Sequence, residues 1–293
     1  MPTYRFKQVD VFTGRPFLGN PVAVVLDADD IDPAQMQRIA AWTNLSETTF
    51  VLRPSSASAD YRLRIFAPAV EMPFAGHPTV GSAHAILESG ILPPESRSLR
   101  QECLAGVLPL TVDGTGADRL IFVRVPETKV AGTYEASADA ISAALGATIA
   151  RRPAPMAIDV GPVWMVAYAE AEETVRGLKP EMNALAQLSR EHGVVGVAVF
   201  SRRSGDDGSA VHVRCFAPAA GVPEDPVTGS GNATIARYLA ETGMLKDIGD
   251  EYVASQGTEM GRDGRVHVRV SGNGRVIEIG GRAVTAIEGS ISL

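Results

Sequence analysis

The sequence predicts an α+β protein of two similar lobes, each a barrel-like mixed or antiparallel sheet around a central helix. A repeat is the first observation behind this. Arg64, Phe66, Ala67, Pro68 and Ala69 match Arg214, Phe216, Ala217, Pro218 and Ala219 at an offset of 150, and Pro78, Gly81 and Ser82 match Pro226, Gly229 and Ser230 at 148. A repeat of half the chain length implies two lobes, with their most specific loops facing across a cleft. Helical periodicity is the second observation. After each Gly-containing turn the apolar residues recur at i, i+3 and i+4, with Ala83, Ile86 and Leu87 in one copy and Ile235, Tyr238 and Leu239 in the other. Strand spacing is the third: short turns join most strand-like runs, so the sheets are largely antiparallel rather than doubly wound.

The elements follow in order. Residues 4–12 alternate and 21–26 are apolar, with Gly14, Pro16, Gly19 and Asn20 supplying the turn of a hairpin. Asp32 and Pro33 are the N-cap and first turn of a helix carrying Met36, Ile39 and Ala40. Residues 48–52 and 61–65 are strands. The second half repeats this order: strands over 157–168 around Gly161 and Pro162, a helix over 180–192, then strands over 194–200 and 211–215. Both halves end in hairpins, 107–112 with 120–125 and 266–270 with 276–279. These spans give lobes at 1–128 and 153–283, a linker at 129–152, and a last strand, 284–293, returning to the first lobe.

The chain's 293 residues, 45% hydrophobic and 21% charged, suffice for two cores of ordinary size. A formal charge of −7 lacks the clustered Lys and Arg that nucleic acid requires, which leaves a small molecule as the expected partner. Cys103 and Cys215, the only cysteines, form no C-x-x-C pair and lie near no His at metal-ligand spacing, so no metal is expected. No apolar leader opens the chain and no run of 18 apolar residues follows, so a cytoplasmic protein free of membranes is expected.

Several residues are placed to carry chemistry. At each Gly turn, backbone N–H groups converge on a helix N-terminus, a setting suited to a carboxylate; the competing reading is ordinary capping, with Pro78 at a first helical position and Thr228 or Ser230 as an N-cap. Gly229-Ser230-Gly231-Asn232 is a poor nucleotide loop, because Glu224 and Asp225 precede it and no basic residue sits in it. Where the copies differ the site is asymmetric. His77 stands in an exposed turn where copy two has Val227 or Thr228, and Asp225 stands where copy one has Ala75. Glu47 immediately precedes the strand at 48–52, and its counterpart in the second lobe is Gly196. A carboxylate half-buried at such a strand mouth can take and return a proton; the alternative is a solvated turn acid.

Together, Gly19-Asn20-Pro21, Ser46-Glu47-Thr48, Gly76-His77-Pro78-Thr79 and Glu224-Asp225-Pro226-Val227-Thr228-Gly229-Ser230 resemble the phenazine-biosynthesis isomerase-like family of the diaminopimelate epimerase fold superfamily. The resemblance covers essentially the whole chain. It implies a cofactor-independent isomerase, usually a homodimer, that moves a proton between carbons of a small dihydroaromatic or amino carboxylate, as in isomerisation of trans-2,3-dihydro-3-hydroxyanthranilate. By motif, Glu47 would be the acid/base and His77 and Asp225 its catalytic partners, with Asn20, Gly76, Thr79, Gly229, Ser230 and Gly231 binding the substrate. Related epimerases and racemases use one thiol in each Gly turn, which this chain lacks; an amino-acid epimerase, or a carboxylate-binding protein without activity, are the other readings.

Overall fold

A computed structural model describes residues 1–203, 205 and 207–293. The chain divides into two compact units, one of Met1–Arg124 with Gly280–Leu293 and one of Val125–Ile279.

In the first unit β1 (Thr3–Val11) pairs antiparallel with β2 (Asn20–Val25). Helix α1 (Pro33–Thr43) then carries the chain over the sheet. The Asp32 side chain accepts from the Gln35 amide at 2.9 Å, Pro33 tolerates a first-turn position, and Asn44 ends the helix in the left-handed region at φ 53°. That crossover makes β3 (Thr48–Leu52) parallel to β2. β4 (Tyr61–Phe66) pairs antiparallel with β3 and with the short β5 (Glu71–Met72), after which α2 (Gly76–Glu88) runs inward. The chain continues as β6 (Ser98–Cys103), parallel to β4, then β7 (Gly106–Asp113) and β8 (Leu120–Arg124), each antiparallel to its predecessor. Every residue of α2 from His77 to Leu87 is buried, and the helix touches β1, β2, β3, β4 and β8. A helix touching strands at both ends of that order is one the sheet curls around.

The second unit repeats this plan. β9 (Lys129–Thr133), β10 (Met156–Asp159) and β11 (Val163–Tyr168) are successively antiparallel. Between β9 and β10 lies α3 (Ala138–Leu145), and α4 (Glu172–Arg176) and α5 (Met182–His192) form the crossover to β12 (Gly196–Arg202), parallel to β11. β13 (Val211–Ala217) pairs with β12 and β14 (Val222–Asp225), α6 (Gly229–Thr242) runs inward, and α7 (Leu245–Ile248) is a single turn. β15 (Glu251–Gln256), parallel to β13, pairs with β16 (Gly264–Ser271), and β17 (Val276–Gly281) follows; β18 (Ala283–Ser292) belongs to the first unit, where it pairs antiparallel with β1. Helix α6 touches β10, β11, β12 and β16, and is the counterpart of α2.

Two expectations change. Residues 129–152, expected as a linker, form β9 and α3, whose Ile141, Ala144 and Leu145 enter one core with Leu185, Val197 and Phe216. The register of the repeat also differs past the shared Phe-Ala-Pro. Arg64 pairs with Glu71 and Arg214 with Glu224, and the helices open at Gly76 and Gly229 (229 against 76, an offset of 153). The three extra residues lie in the 3₁₀ turn Pro218–Ala220 and its Gly221. Ser230 is therefore the counterpart of His77, Thr228 of Ala75, and Asp225 of Met72. The coincident Pro, Gly and Ser at 148 are not structurally equivalent.

Candidate active site

Glu47 is set by the bend from α1 into β3. Its own carbonyl is the acceptor for the Ala23 amide at 3.4 Å, the first rung joining β3 to β2, which brings the side chain to the mouth of the sheet. There Glu47 Oε2 lies 3.2 Å from His77 Nε2, in the first turn of α2, and the two side chains are 15% and 9% exposed. His77 is thus not in an exposed turn: α2 begins one residue before it, and the curled sheet covers that turn. Because Phe66 pairs with Thr48 in the first unit and Phe216 with Val197 in the second, the counterpart of Glu47 is Gly196. A Cβ there would lie 2.1 Å from the Phe216 carbonyl oxygen, so the second unit has no room for a side chain at this position.

Desolvation lowers the His77 pKa to about 3, against a smaller opposing effect from a hydrogen bond to the Pro21 backbone. Pro21 has no amide hydrogen, so its carbonyl accepts and the ring donates. His77 is neutral at ordinary pH, with one N–H committed to Pro21. The unfolded chain takes up this proton near the ordinary value of 6.5 and the native state only near 3, so protonation favours unfolding as pH falls between those values. Native stability is expected to fall by up to about 1.4 kcal/mol per pH unit across that window from this group alone. Urea unfolding at pH 7, 6, 5 and 4 should give a shallower decline for His77→Gln than for wild type; equal slopes would refute the assignment.

The turn opening α6 is built differently. Asp225 ends β14, Thr228 stands at the N-cap, and Gly229 and Ser230 begin the helix, yet the Thr228 side chain makes no cap hydrogen bond. α2 likewise has no side-chain cap, so the capping reading is not realised at either turn. Trp164 Nε1 donates to Ser230 Oγ at 3.1 Å, which leaves the hydroxyl hydrogen to point elsewhere. Gly231 packs on Cys215, whose Sγ would lie 2.5 Å from a Cβ at that position. Glu224, read from sequence as part of an acidic pair beside the turn, is instead neutralised by Arg214 through two hydrogen bonds of 2.8 and 2.9 Å.

The fold thus brings Glu47 and His77 together, and in its own unit places Asp225 beside Gly229, Ser230 and Gly231. Asn20 is buried at the first position of β2, Gly76 opens α2, and Thr79 is fully buried with its hydroxyl accepting from Gln101 Nε2 at 3.0 Å. Sequence reasoning missed Trp164, Gln101 and Gln256. Gln101 lies on β6 and Gln256 at the end of β15, at positions two apart in the register of the repeat, so the duplication does not point to them. Among the described residues no helix is long and apolar enough to cross a membrane, and no group of three or more His, Cys, Asp or Glu could hold a metal ion.

A duplicated α+β fold with each curled sheet wrapped on a buried helix is shared with PhzF-family structures, and relatives named as isomerases place the chain among the isomerases. The chain belongs to the phenazine biosynthesis-like protein family, PhzC-PhzF, whose match spans residues 9–289. It is 40% identical to antisense-enhancing sequence 1 of Schizosaccharomyces pombe, over 99% of both chains. It is 32% identical to the trans-2,3-dihydro-3-hydroxyanthranilate isomerase of Pseudomonas aeruginosa, over 98% of both. The crystal structure of a PhzF-family phenazine biosynthesis protein from Bacillus anthracis superposes with a TM-score of 0.85 at 30% identity, covering all of both chains.

Proposed function

We propose that this isomerase moves a proton between carbons of a small dihydroaromatic or amino carboxylate, with Glu47 as the single acid/base, and that trans-2,3-dihydro-3-hydroxyanthranilate or a close analogue is its substrate. The observation that carries this reading is the 3.2 Å approach of Glu47 Oε2 to the neutral His77. Glu47 takes the proton from an acidic C–H. The resulting carboxylic O–H is then held by the ring nitrogen that Pro21 does not use, until Glu47 returns the proton to a second carbon on the same face. The remaining motif residues, Asp225 with Asn20, Gly76, Thr79, Gly229, Ser230 and Gly231, orient the substrate; the N-terminus of α6 and the Ser230 hydroxyl suit its carboxylate. A two-thiol racemase mechanism is disfavoured because burial pushes the Cys215 and Cys103 thiols up, keeping both protonated. The same reading carries a homodimer in the cytoplasm that needs no cofactor.

The test is incubation with trans-2,3-dihydro-3-hydroxyanthranilate and a panel of dihydroaromatic and amino carboxylates in deuterium oxide. Isomerised product carrying deuterium on carbon is expected. A compound that raises the melting temperature yet never exchanges a C–H would instead identify a binding protein.

A further inference from the structure

Resting on the reading that the α6 turn binds the substrate carboxylate, we propose that Gln256 is a positioning residue that locks this turn in its binding conformation. Gln256 is 1% exposed, at the end of β15, and its amide spends all of its hydrogen-bonding capacity on the turn and on the first turn of α6. Nε2 donates to the Asp225 carbonyl at 3.0 Å and to Thr228 Oγ1 at 2.9 Å. Oε1 accepts from the Thr228 amide at 3.0 Å and from Asn232 Nδ2 at 3.0 Å. The orientation is forced, since a flipped amide would aim N–H at the Thr228 N–H and oxygen at the Asp225 carbonyl.

This arrangement has a specific effect at the helix end. A threonine at an N-cap ordinarily turns its hydroxyl onto an amide of the first helical turn. Here Thr228 Oγ1 accepts from Gln256 instead and makes no cap hydrogen bond. Gln256 thereby holds the Thr228 hydroxyl and fixes the Asp225 backbone, so the turn that opens α6 is held in one conformation. The first unit lacks this device: Gln101, fully buried on β6, donates to Thr79 within α2 and accepts from the Tyr61 hydroxyl at 3.0 Å, but it lies opposite Tyr61, two register positions before the counterpart of Gln256, and its bonds go to the helix and not to the turn.

The experiment compares Gln256→Glu, Thr228→Ala and, as a core-truncation control away from the turn, Val268→Ala on β16. At pH 8 the carboxylate introduced by Gln256→Glu keeps the acceptor role but cannot donate to the Asp225 carbonyl. KM for trans-2,3-dihydro-3-hydroxyanthranilate is expected to rise about tenfold, the worth of one such hydrogen bond, with kcat nearly unchanged. Lowering the pH toward 5 protonates that carboxylate, restores a donor, and should bring the KM ratio back toward wild type. In parallel, hydrogen–deuterium exchange over residues 225–234 should show lost protection in Gln256→Glu and Thr228→Ala but not in Val268→Ala. Wild-type protection in both turn variants, or equal loss in the control, would overturn the proposal; should Gln256→Glu fail to fold, Thr228→Ala decides. If the wild-type protein converts no carboxylate, the functional reading fails by itself, and amide exchange still judges the role of Gln256.

Discussion

Glu47→Gln is expected to lower turnover and carbon-bound deuterium incorporation by roughly 10²- to 10⁴-fold, the range for loss of a positioned general acid/base. That corresponds to about 3 to 5 kcal/mol of transition-state stabilisation. Glutamine keeps the size and planarity of the side chain and can still face His77 Nε2, now with an N–H, so the partner ring retains a neighbour at the same position. What the variant cannot do is accept a proton from carbon and give it back. The fold should tolerate the change, because glutamine matches the shape of the side chain and Glu47 is joined to the sheet through its main-chain carbonyl. A melting temperature near that of wild type together with collapsed exchange is the expected pair of results. Exchange at the wild-type rate would remove Glu47 from the mechanism, and collapse of both would show only that the variant is misfolded. The second unit offers no substitute base at the equivalent position, since Gly196 packs directly on the Phe216 carbonyl.

How much of this was legible in the chain depends on the range of the interaction responsible. The duplication was visible because Arg-x-Phe-Ala-Pro meets the same local demand twice: each Arg pairs with a carboxylate on the next short strand and sits over the ring two residues on, at 5.1 Å for Phe66 and 5.0 Å for Phe216. Its register past that point was not, since the length of the Pro218–Ala220 turn depends on where β14 can rejoin β13. The stretch 129–152 read as a linker because α3 is only eight residues long and its apolar face is completed by residues some 40 to 70 positions away. Glu47 and His77 were each found by motif, but their contact spans two elements, and the local sequence around His77 gives no sign that β-strands cover it. The glutamines were invisible for a further reason. In strands such as Glu251–Gln256, a polar residue reads as solvent-facing unless the buried groups it serves are known, and those groups are on the preceding turn.

Arg214→Met should be the most damaging single substitution to stability considered for the second unit, costing about 3 to 5 kcal/mol. Arg214 is 7% exposed, and its charge is met by Glu224 in a two-pronged pair at 2.8 and 2.9 Å. Its remaining donor group, Nη1, reaches the carbonyls of Val175, Arg176 and Leu178 at 3.2, 3.3 and 3.0 Å. Those carbonyls lie at and just past the C-terminal end of α4, where the Gly177 amide already bonds Glu173 and Val175, so the guanidinium adds a charged donor to that helix end. Methionine would preserve much of the packing on Phe216 but strand Glu224 at 15% exposure and leave the three carbonyls without this donor. Arg64→Met provides the comparison. Arg64 makes the same two-pronged pair with Glu71, but the partners are 16% and 23% exposed and no helix end depends on it, so about 1 to 2 kcal/mol is expected there. Chemical denaturation of the two variants should therefore separate them by roughly 1 to 4 kcal/mol. Equal losses would mean that the ion pair alone, and not the end of α4, accounts for what Arg214 contributes.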